Sequence, residues 1–342
     1  RHLSSKTGDI PAPGTPDRQA AALILDIDNN GANDFVIASN NEAPAVEWYQ
    51  QVAGSWVKYT IDDNVLPLEA GGAFHDIDAD GDLDIAFGDA LGGNRVYWWE
   101  NPYPDYDVNT PWTRRLIKDG GATKHHDMLF GDFDADGLTE LAIWNQGANQ
   151  LLLADIPADP RAIQPWSYTP IFTSAAESEG LASADIDGDG QADIVAAGRW
   201  FKHQGGTHFS DNIIDDTQRF TRAAAGQLKP GGRPEVVFVV GDGAGRLKWY
   251  EWTGGQWVGH DLLGFDVDHG HSLAIADMNE DGYPDIFCAE MNLNNSNPDA
   301  NAWIFYGDGR GNFTTTLLSS GIANHESKVG DLDGDGDIDI LG

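Results

Sequence analysis

Small apolar, acidic and β-branched residues recur along this chain in a fixed order. A run of small residues such as "LASADI" (181–186) leads into the acidic loop "DGDG", and an apolar stretch, "DIVAAG" (193–198), follows. Two further segments rich in aromatic and β-branched residues come next. "RVYWWEN" and "RLKWYEW" read as third strands, and "WTRRLIKD", "FSDNIID" and "FTTTLLSS" as outer fourth strands. No stretch carries a convincing helical period. The small residues ahead of the loops, among them Gly131, Ala184, Gly226, Ala276 and Gly330, suit an innermost strand crowded around an axis.

The acidic loop sets the period. It reads "DIDNNGAND" from Asp26, "DIDADGDLD" from Asp76, "DFDADGLTE" from Asp132, "DIDGDGQAD" from Asp185, "DMNEDGYPD" from Asp277 and "DLDGDGDID" from Asp331. A seventh copy, "QLKPGGRPE" from Gln227, keeps a glycine and the last acid but has lost the others. Repeats of 42 to 56 residues, each of four short strands, match propeller blades better than solenoid coils. The expectation is an all-β, seven-bladed β-propeller spanning residues 1–342 as one domain. The opening "RHLSS" resembles an outer strand and is expected to close the last blade. That blade shows no third strand, as in a chain cut short at its C-terminus.

Side-chain oxygens at loop positions 1, 3, 5 and 9, with glycine at 6, resemble the first half of an EF-hand loop without its flanking helices. Hard oxygen donors favour calcium over zinc. Up to six structural calcium sites are therefore expected. The ligands would be Asp26, Asp28, Asn30 and Asp34; Asp76, Asp78, Asp80 and Asp84; Asp132, Asp134, Asp136 and Glu140; Asp185, Asp187, Asp189 and Asp193; Asp277, Asn279, Asp281 and Asp285; and Asp331, Asp333, Asp335 and Asp339. Lys229 and Gly231 occupy ligand places in the fifth repeat, which is expected to be empty.

At about 3.3 Å per residue, six residues before each loop reach the opposite face of the disc. Gln19, Glu69, His126, Glu179, Arg222, His271 and His325 stand near that level, one per blade, with Lys124, His125, His269 and Glu326 beside them. The strands after the loops return there at Asn145 and Arg199. Convergent polar groups of this kind are the expected make-up of a ligand site, although a polar residue ending a strand at solvent explains any single position equally well. Trp144, Trp200 and Trp303 are either sugar platforms or blade packing.

Composition narrows the ligand. A formal charge of −35 excludes general affinity for nucleic acid or anionic membrane, so an anionic substrate needs a local basic patch. One cysteine, Cys288, excludes an internal disulfide framework, and no apolar run is long enough for a membrane-spanning helix. The chain starts at Arg1, as a secreted protein does after its leader is removed and as a trimmed chain also does. A soluble, secreted or extracytoplasmic monomer is expected.

"FGDFDADG", "DIDGDG" and "GDLDGDGDIDILG" resemble the FG-GAP/VCBS propeller repeat over essentially the whole chain. "EAGGAFHDIDADGD", "WWENP", "KHHD", "WNQ", "GRWF", "HGHSLAIAD", "AEM" and "HESKVGDLDGDGDIDILG" together are similar to secreted propellers acting on uronic-acid sugars. These are the L-rhamnose-α-1,4-D-glucuronate lyases above all, then the propeller domain of aldos-2-ulose dehydratases and, more distantly, ulvan lyases. The resemblance implies an acidic oligo- or polysaccharide substrate. β-Elimination from a 4-linked uronate needs donors on the carboxylate, a base for the C5 proton and an acid for the leaving oxygen. Arg199, Arg222 and Asn145 are candidates for the first task, and His126 and His271 for the others, with His125, His269 and His325 as substitutes. A glycosidase pair from Glu69, Glu179 and Glu326 stays open, as do a keto-sugar dehydratase and a non-catalytic carbohydrate-binding propeller. His126, His269, His271 and Glu179 could also hold zinc.

Overall fold

A computed structural model describes residues 3–14 and 18–342. The fold is all-β, and its sheets are arranged as blades around an axis. Six sheets run antiparallel in strict chain order. Their first strands are Gln19–Leu25, Ala73–His75, His125–Gly131, Ala182–Ala184, Thr221–Gly226 and Ser272–Ala276. Most of these first strands touch their neighbours around the axis. Blade 1 carries an additional short strand, Leu66–Pro67, on its second strand.

Where seven blades are expected, the structure has six. The seventh repeat builds only Lys328–Gly330 paired with Asp339–Leu341, and this two-stranded sheet lies between the inner strands of blades 6 and 1. Among the described residues, the N-terminal segment adds no strand to it. Residues 3–14 instead run as a loop, with Ile10 packed against Phe35, Tyr49 and Leu332. Arg1 and His2 of "RHLSS" lie outside the described residues.

Burial explains the sequence pattern strand by strand. Second strands lie between neighbouring blades and are apolar on both faces, so Glu140–Asn145 is buried at every residue and shows no alternation. Outer strands meet water, and Phe313–Ser320 is exposed over most of its length. Inner strands need small residues: a Cβ at Gly131 would lie 2.6 Å from the ring of Phe133. Tryptophans fill the gaps between blades, with Trp48, Trp99 and Trp112 in one cluster and Trp98 and Trp166 in the next.

Candidate metal centre

The axis holds a buried cluster with contributions from five repeats. His126 and Asp127 come from the inner strand of blade 3, Glu179 from the turn before blade 4, Arg222 from blade 5, His271 from the start of blade 6, and Glu326 from the seventh repeat. Glu179 is fully buried, and His126 and His271 are 3% and 2% exposed. The pairing register slips between His126 and Met128, and Asp127 has φ 48°, so the strand bulges there and turns Asp127 toward the axis. Gly71 makes room for the bulge. A Cβ on it would lie 2.4 Å from the Asp127 Cα.

Asp127 Oδ2 accepts hydrogen bonds from the Gly180 amide at 2.8 Å and Arg222 Nη1 at 2.8 Å, and lies 2.5 Å from His126 Nδ1. Arg222 also donates to Glu326 Oε1 at 3.0 Å, which Lys328 Nζ approaches to 2.5 Å. Burial alone would raise the Asp127 carboxyl, but the Arg222 and His126 charges hold it well below the usual carboxylate range. Arg222 is thus committed to two buried carboxylates.

These contacts fix the histidine tautomers. An ionised Asp127 can only accept, so His126 carries its proton on Nδ1. His271 Nδ1 lies 2.6 Å from the carbonyl oxygen of His325, which also can only accept, so its proton is on Nδ1 too. Both Nε2 atoms then face Glu179 Oε2, at 3.4 Å and 3.6 Å. Among the described residues, neither Glu179 oxygen has a hydrogen-bond partner. Two imidazole nitrogens and one carboxylate oxygen therefore converge in a buried site, an arrangement that demands protons on the nitrogens or a metal ion between them.

Without a metal, the surrounding carboxylates favour a second proton on His126, which a bound ion would displace. Burial would lower His126, yet Asp127, Glu179 and Glu69 raise it to about 9, and burial would raise Glu179, yet His271, His126 and Arg222 lower it to about 2. The three ligand atoms lie within 4.8 Å of one another. Two histidines and one glutamate are a donor set that suits zinc-class ions and leaves coordination positions open.

Two cavities lie near the cluster, which Glu326 joins to one of them. One of ≈ 530 Å³ is lined by Arg18, Gln19, Asn40, Glu69, Asn295 and His325, and one of ≈ 300 Å³ by His325, Glu326, Gln19, Ile37 and Leu341 among others. His325 stacks on His271 at 4.6 Å, and its Nδ1 lies 2.8 Å from the Ala20 carbonyl oxygen.

Of the residues expected at this face, His126, Glu179, Arg222 and His271 form the cluster, while Gln19, Glu69 and His325 line a cavity. Four others lie elsewhere. His125, next to His126 on the strand, is buried against Gly88 and Met128 of the blade interface, and Asn145 donates to its Nε2 at 3.3 Å. Asn145 caps the turn 146–148. Arg199 pairs with Asp211 at 2.9 Å over the ring of Phe172, and His269 with Asp268 at 2.6 Å. Trp144, Trp200 and Trp303 are buried packing residues rather than sugar platforms. Asp127 escaped sequence reasoning because only the bulge turns it inward; the adjacent "HHD" was its one signal.

At the other face, at least three acidic residues gather within 4.8 Å in four loops: Asp76, Asp78 and Asp80; Asp132, Asp134, Asp136 and Glu140; Asp185, Asp187 and Asp193; Asp331, Asp333 and Asp339. The loops beginning at Asp26 and Asp277 do not gather three acids, and Asp84, Asp189 and Asp335 stay outside the groups of their own loops. The ninth position has a second task that the sequence reading missed. Asp84 accepts from the amides of Ile77 and Asn101, and Asp285 from those of Met278 and Gly307, which ties each loop to its third strand. Glu235 accepts the Lys229 amide in the repeat that lost its other acids, which explains why an acid stands there at all. Burial pushes the carboxyls of Asp34, Asp84 and Asp193 up to about 7, 8 and 7, and neighbouring acids add to the rise.

The FG-GAP-like repeat family matches residues 76–143, 132–196, 232–288 and 277–342. The chain belongs to this family. A search of curated proteins found no match. Among solved structures, the BBS1N chain of a complex with ARL6DN, soaked with mercury, is 11% identical, with a TM-score of 0.51 over 94% of this chain and 92% of that one. That likeness concerns the fold alone. The V. cholerae biofilm matrix protein Bap1 is 14% identical with a TM-score of 0.49 over 79% of this chain, which spans 44% of the Bap1 chain.

Proposed function

We propose that this protein is a lyase that breaks a 4-linked acidic saccharide by β-elimination, with a divalent metal of the zinc class held by His126, Glu179 and His271. The observation that carries the reading is the convergence of two imidazole nitrogens and one carboxylate oxygen in a buried cluster, with His325, stacked on His271, lining a polar cavity of ≈ 530 Å³. A bound cation would supply positive charge to the substrate carboxylate and so acidify the neighbouring C5 proton.

The chain's own residues have separate tasks. Arg18, Gln19, Asn40 and Asn295 offer N–H donors along the cavity for hydroxyl and carboxylate oxygens. Arg222 keeps Asp127 ionised, and Asp127 holds His126 in the tautomer that presents Nε2. His325 is the only one of the five expected histidines that lines the cavity among the described residues. With Nδ1 donating to Ala20, its Nε2 is left to accept the C5 proton and to return it to the departing O4 as the C4–O4 bond breaks and the C4–C5 double bond forms.

The substrate class rests on the resemblance to uronate-directed propellers. Incubation with rhamnose-capped glucuronate glycans, following both the ultraviolet absorbance of a 4,5-unsaturated uronate and released rhamnose, tests it. Both signals rising together support elimination; rhamnose without the chromophore indicates hydrolysis; neither contradicts the reading for this substrate. A keto-sugar dehydratase shares the elimination chemistry and differs in product. The burial of the cluster favours one further reading, a non-catalytic carbohydrate-binding propeller in which the axial ion only braces the blades. Sugar binding without turnover on any uronate would establish it.

We also propose calcium in the acidic loops, most clearly in blade 3. Four acidic residues gather there, and no basic side chain forms an ion pair with them among the described residues.

A further inference from the structure

The acidic loops are not equivalent, and what distinguishes them is whether a basic side chain reaches their carboxylates. In blade 3, Glu140 at loop position 9 pairs with Asp155. The register that pairs Ile194 with Phe201 sets Asp193 opposite Lys202 in blade 4, and pairing of Ile85 with Trp99 sets Asp84 opposite Glu100 in blade 2. The charge at that position differs from blade to blade.

In blade 4, Lys202 Nζ lies 2.5 Å from Asp187 Oδ2 and 2.5 Å from Asp189 Oδ2, the carboxylates at loop positions 3 and 5. In blade 2 the opposing residue is itself acidic, and a guanidinium arrives from outside. Arg161, in the loop before the outer strand of blade 3, is 2.6 Å from Asp78, 2.7 Å from Asp80 and 2.7 Å from Glu100. Blade 5 has the opposite polarity: the base, Lys229, is in the loop, and it pairs with Glu251 on the third strand.

Calcium takes six to eight oxygens and would need these same carboxylates as ligands. An ammonium or guanidinium within hydrogen-bonding distance of them already offsets part of the loop's negative charge, occupies its ligand oxygens and would repel the ion. We propose that Lys202 and Arg161 are the built-in cations of the loops in blades 4 and 2, so that these two loops keep their shape without metal and take no calcium. This inference rests on the calcium reading of the other loops. It leaves the loops beginning at Asp26, Asp132, Asp277 and Asp331 as the calcium-dependent ones.

The test is titration of metal-stripped protein with calcium ion alone, by calorimetry and by metal counting, on the wild type, K202M and K202R. The expected result is one additional equivalent of calcium per chain in K202M and an unchanged count in K202R, which keeps the charge. An axial metal does not affect this difference. Calcium uptake by the wild type with no gain in K202M overturns the inference while leaving the calcium reading standing. A gain in K202M with no uptake by the wild type upholds the inference and removes calcium from the other loops. No uptake by either protein overturns both. If K202M folds only when calcium is present, the ion has replaced the ammonium and the inference stands; if it folds in neither condition, R161M takes its place with the same outcomes.

Discussion

The two faces of the disc both concentrate carboxylates, and they solve the resulting repulsion in opposite ways. At the loop face the acids lie largely at solvent and are held by the chain's own backbone: Asp185 alone accepts from the amides of Gly188, Asp189 and Gly190. Basic side chains complete two of these loops. At the axis, Asp127, Glu179 and Glu326 are buried, so charge must be balanced within the protein. Arg222 balances two of them, and Glu179 faces the Nε2 atoms of His126 and His271. Acid density alone is therefore a poor guide to a metal centre. What distinguishes the axial site is the burial of two imidazoles against one carboxylate.

The sharpest break in this comparison comes from removing the central cation. Arg222→Met removes the guanidinium shared by the buried Asp127 and Glu326 and should cost about 3–5 kcal/mol, the range for breaking a buried pair, read by urea denaturation. Removing the exposed partner of a rim pair such as Arg95 and Asp119 should change stability far less. If the two substitutions cost the same, the axial network is not the buried framework described above.

Asp127→Asn keeps the side chain's size but loses the charge that fixes the His126 tautomer. Metal affinity should fall by about 10–100-fold, the usual effect of losing a carboxylate that orients a histidine ligand, while the fold survives. Direct competition titration against a chromophoric chelator measures this. An unchanged affinity would mean that Asp127 does not orient the ligand.

The smallest effect separates two acids of one loop. Asp285→Asn weakens two backbone hydrogen bonds at a buried site and should cost about 1–3 kcal/mol in chelator, where no ion contributes. Asp281→Asn, at an exposed turn position, should cost little under that condition and show its effect only when calcium is supplied. Equal costs in chelator would remove the distinction between latch and ligand.

How much of this could be read from the sequence follows from what each residue depends on. The repeat was legible because glycine and aspartate at fixed offsets record the turn itself. The convergence of His126, Glu179, Arg222 and His271 was legible because first strands must meet at the axis, and residues at one height on them share one level. Facing directions were less so. His125 and His126 are neighbours, yet one packs between blades and the other faces the axis, and the bulge at Asp127 breaks the simple alternation. Asn145 ends a second strand and Arg199 begins a third, one and two steps further from the axis, where height no longer implies convergence. The incomplete seventh sheet was visible as a missing third strand, whereas the loop path of residues 3–14 depends on a contact of Ile10 with Phe35, Tyr49 and Leu332 that no local pattern records.

The central claim is that His126, Glu179 and His271 form one metal centre, and cobalt(II) tests it most directly. Metal-stripped wild-type protein titrated with cobalt should develop a visible ligand-field spectrum of a nitrogen- and oxygen-bound ion that saturates near one equivalent. Glu179→Gln should abolish that spectrum while leaving far-ultraviolet circular dichroism intact. A spectrum that is absent in the wild type, or that persists unchanged in Glu179→Gln, would contradict the account.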